Sequence, residues 1–389
     1  MFENDETSDE TLFGCAIWKY FANIHDPRVT DNQRYKFDEI LFMIVCAIIC
    51  GCDDVKTIVN YIEAKIEWFS KKLNIIKAPS YKTIWWVLVL IDPEEFNGAF
   101  KDLVSDMREV FCPSDSRELE IIAVDGKTSC GTKRSNIKAI HTVSAWSSSC
   151  QFLLGQVKTD KKSNEITAIP KLLKMLDLNN TIVTIDAAGC QTKIADQIIN
   201  EEGNYIFALK GNQETIHEAV KSLFKELENG DNKNVDYSLL QLDMANECDK
   251  GHGRIEDRTV RVCYNMDWLK QERWKTIKSV IEIISKRTIK GKSTIEKRYY
   301  IASIKGSAVQ FLKWIRSHWG VESFHWILDV SFKDDTFRGY TGNLAQNIGL
   351  LKRLTLNLLK QDNSKKTSYR QKRKVAGWNE NYLLKLLGA

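Results

Sequence analysis

The chain has 389 residues, of which 43% are hydrophobic and 28% are charged. This length and composition exclude a disordered or low-complexity protein and predict two or three globular units, each with its own core. Lys and Arg number 56 against 51 Asp and Glu, for a formal net charge of only +5, so charge alone neither requires nor excludes a nucleic-acid partner.

The cysteines and the apolar runs bear on the cell compartment. The ten Cys are scattered, with no CxxC pair and no zinc-finger spacing, which is typical of reduced thiols in a cytoplasmic protein. The most apolar run, ILFMIVCAIICGC at residues 40–52, is shorter than the roughly 20 residues that a membrane span needs. We therefore expect a cytoplasmic protein with no membrane partner.

Residues 1–115 are predicted to form an all-helical N-terminal domain. Breaks at DPR, Gly51, APS and DPE divide this region into helix-compatible segments. The predicted helices span about 10–23, 37–50, 54–73, 80–90 and 93–111, and CPSDSRE at 112–118 reads as a linker.

Residues 118–213 change to short apolar runs, which indicate strands. Three consecutive strands are followed by helix, strand, helix and strand, and this order predicts a mixed sheet with helices against it. The strand segments are ELEIIAVDGK, AIHTVSAWS, CQFLLGQVK, TIVTIDAAG and YIFALKG, and the helical segments are ITAIPKLLKML and QTKIADQIINEEG.

The rest of the chain is predicted to contain three further regions. Residues 214–305 begin with a charged helix and continue with strands in RIEDRTVRVCY, TIKSVIEIISKRT and EKRYYIASI. Residues 306–360 read as helix. Residues 361–389 read as an exposed basic tail that contains the cationic run KRK at 372–374 and ends in a short amphipathic helix.

Two aspartates follow apolar strands, Asp125 in AVDGK and Asp186 in TIDAAG. A carboxylate at a strand end is held rigidly while its tip reaches solvent, so a pair of them could bind a hard divalent cation. Asp-Gly and Asp-Ala-Ala-Gly also suit turns, and spacing alone favours neither interpretation.

The stretch RSHWGVESFHWILDV, residues 316–330, places four polar residues on one helix face. His318, Glu322, His325 and Asp329 are offset by 0, 4, 7 and 11 positions. Glu322 could supply a third carboxylate, although for this residue taken alone a solvated helix face is the favoured interpretation. The flanking Trp319 and Trp326 could stack on a base, but core packing is the favoured interpretation.

Taken together, the motifs resemble the DDE transposases of bacterial insertion sequences, in particular the H-repeat-associated type. The matching segments run in family order along nearly the whole chain. They are HDPR, PSYKT, AVDGK, KSNEITAIP, DAAGCQ, ALKGNQ, HGRIEDR and RSHWGVESFHWILDVSFKDD. Two of these segments depart from the family pattern: Ser323 stands where Asn is usual, and DAAGCQ replaces a DAMGTQ-like string.

The resemblance implies an α/β fold, an RNase H-like mixed β-sheet core with flanking helices. The core would be split into residues 118–213 and 306–360 by a mostly β insertion at 214–305. Residues 1–115 would serve DNA end binding or dimerisation.

The resemblance also implies the chemistry. Asp125, Asp186 and Glu322 would be the catalytic residues and would hold two Mg²⁺ or Mn²⁺ ions. The reactions would be cleavage at transposon ends and transfer of the freed 3′-OH into target DNA. The partners would be double-stranded DNA and a second copy of the chain, in a bacterial cytoplasm and associated with the nucleoid.

Residues around this centre are predicted to contact DNA. Cationic side chains neutralise phosphates, and histidines on the Glu322 face could position the scissile phosphate. The predicted contacts are Lys127, Lys133, Arg134, Lys210, Arg254, Arg258, Arg316, His318 and His325.

Two other functions remain open at this stage. Glu322 and His325 could form one E-x-x-H half of a di-iron site, but that site needs a second copy on a facing helix of a bundle. A domesticated DNA-binding protein could keep the fold without the catalysis.

Overall fold

The computed structural model describes residues 16–29, 33–73, 75–112, 119–135, 138–159, 165–229, 240–251, 253–269 and 272–388. The N-terminal region contains six helices in these ranges, whereas the sequence predicts five helical segments. The predicted single helix at 54–73 is wrong, because the backbone leaves helical geometry at Lys65 and two helices meet there. The helices are α1 (Ala16–Phe21), α2 (Phe37–Ile49), α3 (Val55–Ala64), α4 (Ile66–Leu73), α5 (Tyr81–Leu90) and α6 (Pro93–Phe111).

A nine-stranded sheet organises the remainder of the chain, in the order β3-β2-β1-β4-β5-β9-β8-β7-β6. Its strands are β1 (Glu120–Ser129), β2 (Ile140–Ser147), β3 (Leu153–Thr159), β4 (Thr181–Ile185), β5 (Asn204–Leu209), β6 (Leu242–Gly251), β7 (Arg254–Cys263), β8 (Ser279–Ile289) and β9 (Lys292–Ala302).

The first five strands form the predicted core. β1 to β3 are antiparallel neighbours, whereas β1, β4 and β5 run parallel. All five residues of β4 are buried, as expected for a central parallel strand with both faces covered. Helices α7 (Glu165–Leu173) and α8 (Thr192–Asn200) provide the connections between the parallel strands. The predicted RNase H-like mixed α/β fold is confirmed.

The predicted β-rich segment joins the same sheet. After α9 (Glu214–Asn229), strands β6 to β9 form successive antiparallel pairs, and β9 pairs with β5 through Ala208 and Tyr300. The strands of residues 240–302 therefore extend the core sheet. The domain boundaries at 115, 214 and 306 remain predictions.

Five helices complete the chain: α10 (Ala308–Ser317), α11 (Trp319–Phe332), α12 (Leu344–Gln361), α13 (Tyr369–Trp378) and α14 (Glu380–Leu387). Phe311 and Ile315 of α10 pack on apolar residues from both the core strands and β7 to β9. A second apolar cluster unites the N-terminal helices with β1 to β4 and with α11 to α14.

The predicted exposed tail is wrong at its basic centre. Lys372 and Arg373 are buried in α13. The Lys372 ammonium donates a hydrogen bond to the Leu359 carbonyl at 3.1 Å, and the Arg373 guanidinium donates one to Asp53 at 2.7 Å. These two cations thus hold helices together and are not free to contact DNA. Among the described residues, no helix is long and apolar enough to cross a membrane.

Candidate active site

The first two candidate carboxylates lie at the carboxyl end of the parallel ladder between β1 and β4. Asp186 follows β4 as predicted, whereas the predicted strand end is wrong for Asp125, because β1 continues beside β2 to Ser129. Val124 of β1 pairs with Ile185 of β4 at the end of their shared ladder. Asp125 and Asp186 are the next residues along each chain, and neighbouring strands lie about 4.8 Å apart. The register therefore places the two aspartates next to each other where the β1–β4 ladder ends.

Asp125 is held by α11. Its Oδ2 lies 3.3 Å from Nδ1 of the buried His325. Burial alone would raise the pKa of Asp125, but the hydrogen bond from His325 and the charges of His325 and His318 outweigh burial, and the net pKa is lowered. Asp125 is accordingly an ionised carboxylate at neutral pH.

Asp186 is fixed by backbone. It begins a 3₁₀ turn, Ala187–Gly189, and its Oδ1 accepts hydrogen bonds from the amides of Ala188 at 3.0 Å and Gly189 at 3.3 Å. A Cβ on Gly189 would collide with the Ile185 side chain, so glycine is required for this turn to close against the strand. The DAAG sequence thus forms a turn, and the same turn fixes the orientation of the Asp186 carboxylate.

Glu322 completes the set from the first turn of α11, where it is exposed. All three carboxylates line one pocket of about 300 Å³. Three segments that are distant in sequence therefore meet at one surface, as the resemblance implies.

His318 lies among these carboxylates at the junction of α10 and α11. Its Nδ1 is 2.9 Å from the Thr184 hydroxyl. Burial lowers the pKa of His318, and the charges of Asp125, Glu322 and Asp186 oppose that change without reversing it. The imidazole is therefore neutral at pH 7.

The polar face of α11 runs along β1. His325 contacts Asp125, and one turn later Asp329 receives the Lys127 ammonium at 2.6 and 2.7 Å. Positions i and i+4 of a helix are about 6 Å apart, close to the rise across two strand residues, so helix and strand match in spacing. His318 and Glu322, at the start of the same face, line the pocket instead.

Gly126, between Asp125 and Lys127, makes room for a second ion pair. A Cβ there would lie 2.6 Å from Glu165 Oε1 and 2.8 Å from His141 Nε2. These two atoms are themselves 2.6 Å apart. The glycine of AVDGK is needed because this pair covers the backbone next to Asp125.

The donor set suits a hard cation. Three carboxylates offer only oxygen ligands, which Mg²⁺ and Mn²⁺ prefer, and within the described ranges none of the three lies within 4.0 Å of a Lys or Arg nitrogen. As the described side chains stand, no three Asp, Glu, His or Cys are grouped closely enough to enclose an ion. Glu322, exposed on a first turn, can change rotamer toward the two aspartates.

The predicted DNA contacts divide into exposed and buried cations. Lys133, Arg134 and Lys210 are exposed, and Lys210 lines the pocket. Two further arginines lie at the surface in ion pairs: Arg254 with Glu256 at 3.1 Å, and Arg316 with Glu247 at 2.5 Å.

Lys127 and Arg258 do not agree with the prediction of phosphate contact. Lys127 is 7% exposed and is neutralised by Asp329 and Asp335. Arg258 is 5% exposed, and its guanidinium lies 2.6 Å from Asp249. Both are internal ion-pair partners, because a buried cation needs a carboxylate next to it.

The favoured core position for the two tryptophans is wrong. Trp319 is 44% exposed and Trp326 is 63% exposed, because the apolar residues of α11 that face the core are Val321, Phe324 and Leu328. Both indoles are available to a partner.

Sequence reasoning missed pocket residues contributed by β9. Glu296, Arg298 and Tyr300 line the pocket beside Ala208 of β5. They arrive there through the pairing of β9 with β5, a long-range contact with no local signal in the sequence. The unusual Ser323 lines a neighbouring groove and not this pocket.

Fold and site define a protein of the RNase H-like class, with an acidic pocket at the ends of two core strands. The family described as "Transposase DDE domain" matches residues 116–358, and the family described as "DDE_Tnp_1-associated" matches residues 18–104. The chain therefore belongs to the DDE transposase family.

Individual relatives agree with this assignment. The chain is 35% identical to "Putative transposase YncI" of Escherichia coli O157:H7, over 96% of this chain and 95% of the relative. It is 34% identical to "H repeat-associated putative transposase YhhI" of Escherichia coli K12, over 95% of this chain and 97% of the relative.

A solved structure, a piggyBac transposase synaptic complex with hairpin DNA, is similar over 96% of this chain and 81% of its own. The identity is 11% and the TM-score is 0.43, too low to establish a shared fold. The di-iron alternative is excluded by the architecture, because α11 packs on β1 of a sheet and not in a helical bundle.

Proposed function

We propose that this chain is the transposase of an insertion sequence. It cuts DNA at the ends of its element and joins the freed 3′-OH to target DNA. The observation that carries the proposal is the convergence of Asp125, Asp186 and Glu322 on one pocket, with no Lys or Arg partner for any of them in the described structure. The relatives named as transposases support it.

Asp125, Asp186 and Glu322 would hold two Mg²⁺ or Mn²⁺ ions. Bound ions of this kind activate the attacking oxygen and stabilise the leaving oxygen of a phosphodiester. The protein supplies the positioning: His325 orients Asp125, two backbone amides orient Asp186, and the first turn of α11 carries Glu322.

Groups around the carboxylates position the substrate. The neutral His318 can donate a hydrogen bond from a ring N–H to a nucleic-acid oxygen without adding charge to the pocket. Lys210 lines the same pocket and would neutralise a phosphate of the bound strand. Lys133, Arg134, Arg254 and Arg316 would contact the backbone farther out.

The test is cleavage of labelled duplexes that carry the element's ends, with Mg²⁺ or Mn²⁺ and with EDTA. Asp125→Asn and Glu322→Gln should each reduce cleavage by about 1000-fold or more, equivalent to about 4 kcal/mol of activation free energy. Glu218→Gln, on the exposed surface of α9, is the matched control and should cleave as the wild type does. Cleavage by the two site variants at the wild-type rate would exclude these carboxylates from the reaction.

A gel-shift experiment with the same duplexes separates catalysis from binding. Both site variants should still retard the DNA, since no phosphate-binding cation has been removed. A wild-type protein that shifts the ends and never nicks them with either metal would instead be a DNA-binding protein with this fold.

Two ends must be processed for one element to move, so we propose that two copies act together in the DNA complex. Mass photometry of the protein with end duplexes should show a species containing two chains. A single chain per complex throughout a productive cleavage reaction would contradict this.

A further inference from the structure

A groove of about 1130 Å³ lies beside the acidic pocket, and we name it the Lys360 groove. The start of α11 separates the two spaces. Trp319 and Glu322 line the pocket, whereas Gly320 and Ser323 line the groove. A chain bound at Glu322 therefore needs to cross only one helix to enter the groove.

The groove combines apolar side chains with cations and hydroxyl groups. Lys313 and Arg316 of α10 lie along one wall, and Lys360 of α12 enters from another. Hydroxyl groups are added by Ser148, Ser149, Ser317 and Ser323. Ser149 also donates a hydrogen bond to the buried Glu120, whose charge is balanced by Arg108.

Lys360 is the unusual member of this group. Its ammonium lies 5.6 Å from the ring centre of Trp146 and 5.8 Å from that of Phe324, both buried. Among the described residues it has no hydrogen-bond acceptor and no carboxylate within 4.0 Å. By contrast, Arg316 is paired with Glu247 and Asp249. A half-buried cation without a counter-charge favours an anionic ligand, because an anion would offset its lost hydration.

We propose that the Lys360 groove binds the phosphodiester backbone of a DNA strand that continues past the acidic pocket, with the Lys360 ammonium contacting one phosphate. The inference rests on the proposed function, and it names the path of the substrate outside the catalytic carboxylates. The exposed indole of Trp319 lies at the crossing and offers a face on which a base can stack.

DNA fits this groove better than an acidic peptide or a small anion does. Its volume is several times that of the acidic pocket, so it accommodates more than one nucleotide. Its hydroxyls suit the many phosphate and sugar oxygens of a strand. Its position one helix away from the reacting phosphate is what a continuous polynucleotide requires.

The protonation of Lys360 adds a pH dependence. Burial lowers its pKa to about 8. At pH 7 the amine is mainly charged and can bind a phosphate, and at pH 9 it is mainly neutral unless DNA holds the proton in place. Binding through Lys360 should therefore weaken between pH 7 and pH 9.

The first experiment labels lysines of the wild-type full chain with an amine-acylating reagent and measures each site by mass spectrometry. A 30-base-pair duplex should reduce the labelling rate of Lys360 about fivefold or more and leave the exposed Lys174 unchanged. Inorganic phosphate at the same phosphate concentration should protect neither. Unchanged Lys360 labelling on DNA that the protein binds, or equal protection by inorganic phosphate, would overturn the proposal.

The second experiment compares Lys360→Met and Lys360→Arg by fluorescence anisotropy with the same duplex across a salt series. Losing one phosphate contact should reduce the salt slope by about 0.9 and raise Kd about 5–10-fold near 0.1 M salt. Lys360→Arg should bind as the wild type does, and only the wild type should lose affinity between pH 7 and 9. Lys174→Met is the matched control.

The outcomes separate this inference from the proposed function. If Lys360→Met cleaves end duplexes and its DNA affinity depends on salt as steeply as that of the wild type, the proposal for the Lys360 groove is overturned. The proposed transposase function would be unaffected. Failure of the wild-type chain to bind any duplex would overturn both. If Lys360→Met is poorly folded by circular dichroism, the labelling of the wild type and the Lys360→Arg pH profile decide the question.

Discussion

Two sets of acidic residues lie near the two ends of α11. They differ in whether a Lys or Arg side chain lies next to the carboxylates. Asp329 and Asp335 share the ammonium of the buried Lys127, and Asp334 lies 3.7 Å from Arg353. Asp125, Asp186 and Glu322, at the other end of the same helix, have no Lys or Arg partner in the described structure. The charges of the first set are therefore balanced by cations of the protein. The charges of the second set have no such cation, which favours the binding of a metal ion.

The difference separates stability from function. The ion pair between the buried Lys127 and Asp329 fixes α11 on β1, since removing either partner leaves an uncompensated charge. The carboxylates of the second set repel one another, and histidine and backbone amides hold them in place. This arrangement is typical of a cation-binding site. Substitutions in the two sets should therefore change different observables.

The largest expected effect is on catalysis, in the unbalanced set. Asp186→Asn should lower DNA cleavage by about 1000-fold or more, because it removes an ionic ligand of the proposed site. Its melting temperature should change by only a few degrees, since the amide can still cap the turn at Ala188. Cleavage assays and calorimetry on one preparation check this. A large loss of stability with retained cleavage would reverse the assignment of roles.

The next effect is on stability, in the balanced set. Lys127→Met should lower the free energy of unfolding by about 2 kcal/mol, less than for a fully buried pair because Asp329 and Asp335 are partly exposed. Denaturant titration measures it. Lys133→Met, at an exposed position, should stay within about 0.5 kcal/mol of wild type. Adding Asp329→Asn to Lys127→Met should restore part of the loss; no recovery would show that the ion pair is not the cause.

Gly126→Ala should affect both observables moderately. The new methyl would meet Glu165 and His141, and whatever moves to relieve the contact adjoins Asp125. We expect a loss of about 1–3 kcal/mol in stability and roughly tenfold slower cleavage. Gly211→Ala, where a Cβ meets nothing within 4 Å, is the control and should leave the free energy of unfolding unchanged. Equal behaviour of the two variants would mean that the His141–Glu165 pair does not constrain the backbone.

The smallest effect is the acid dependence from Asp125. Its pKa is lowered in the fold, so ionised Asp125 stabilises the protein above its unfolded value of about 3.9 and loses that contribution as pH falls. The stability difference between wild type and Asp125→Asn should therefore shift against the wild type between pH 5 and pH 3. Urea titrations at several pH values measure it, and a difference independent of pH would contradict the lowered pKa.

Much of the fold could be predicted from the sequence. Apolar runs of strand length predicted β1 to β5 in the right order, and proline and glycine breaks predicted four of the six described N-terminal helices. The three carboxylates of the candidate site were also identified in advance from strand ends and the resemblance, and the structure places them in one pocket. Their catalytic roles stay predictions until cleavage is measured.

The errors share one physical cause. Lys127, Arg258, Lys372 and Arg373 look like surface cations in the sequence, but each is buried against carboxylates or carbonyls that lie outside its own helix or strand. Trp319 and Trp326 look like core residues but are exposed, because the narrow apolar face of α11 is already filled. Burial of a long side chain depends on tertiary partners, and periodicity within one helix does not report them.

The pairing of β9 with β5 has a consequence for engineering this enzyme. Because residues 240–302 continue the core sheet, shortening the protein by excising them would turn β5 from an interior strand into an open edge. The unpaired backbone N–H and C=O groups of β5 would then form hydrogen bonds with strands of other chains, and the protein would aggregate. A minimal version would need a substitute strand or a charged, proline-bearing edge at Asn204–Leu209 to avoid this aggregation.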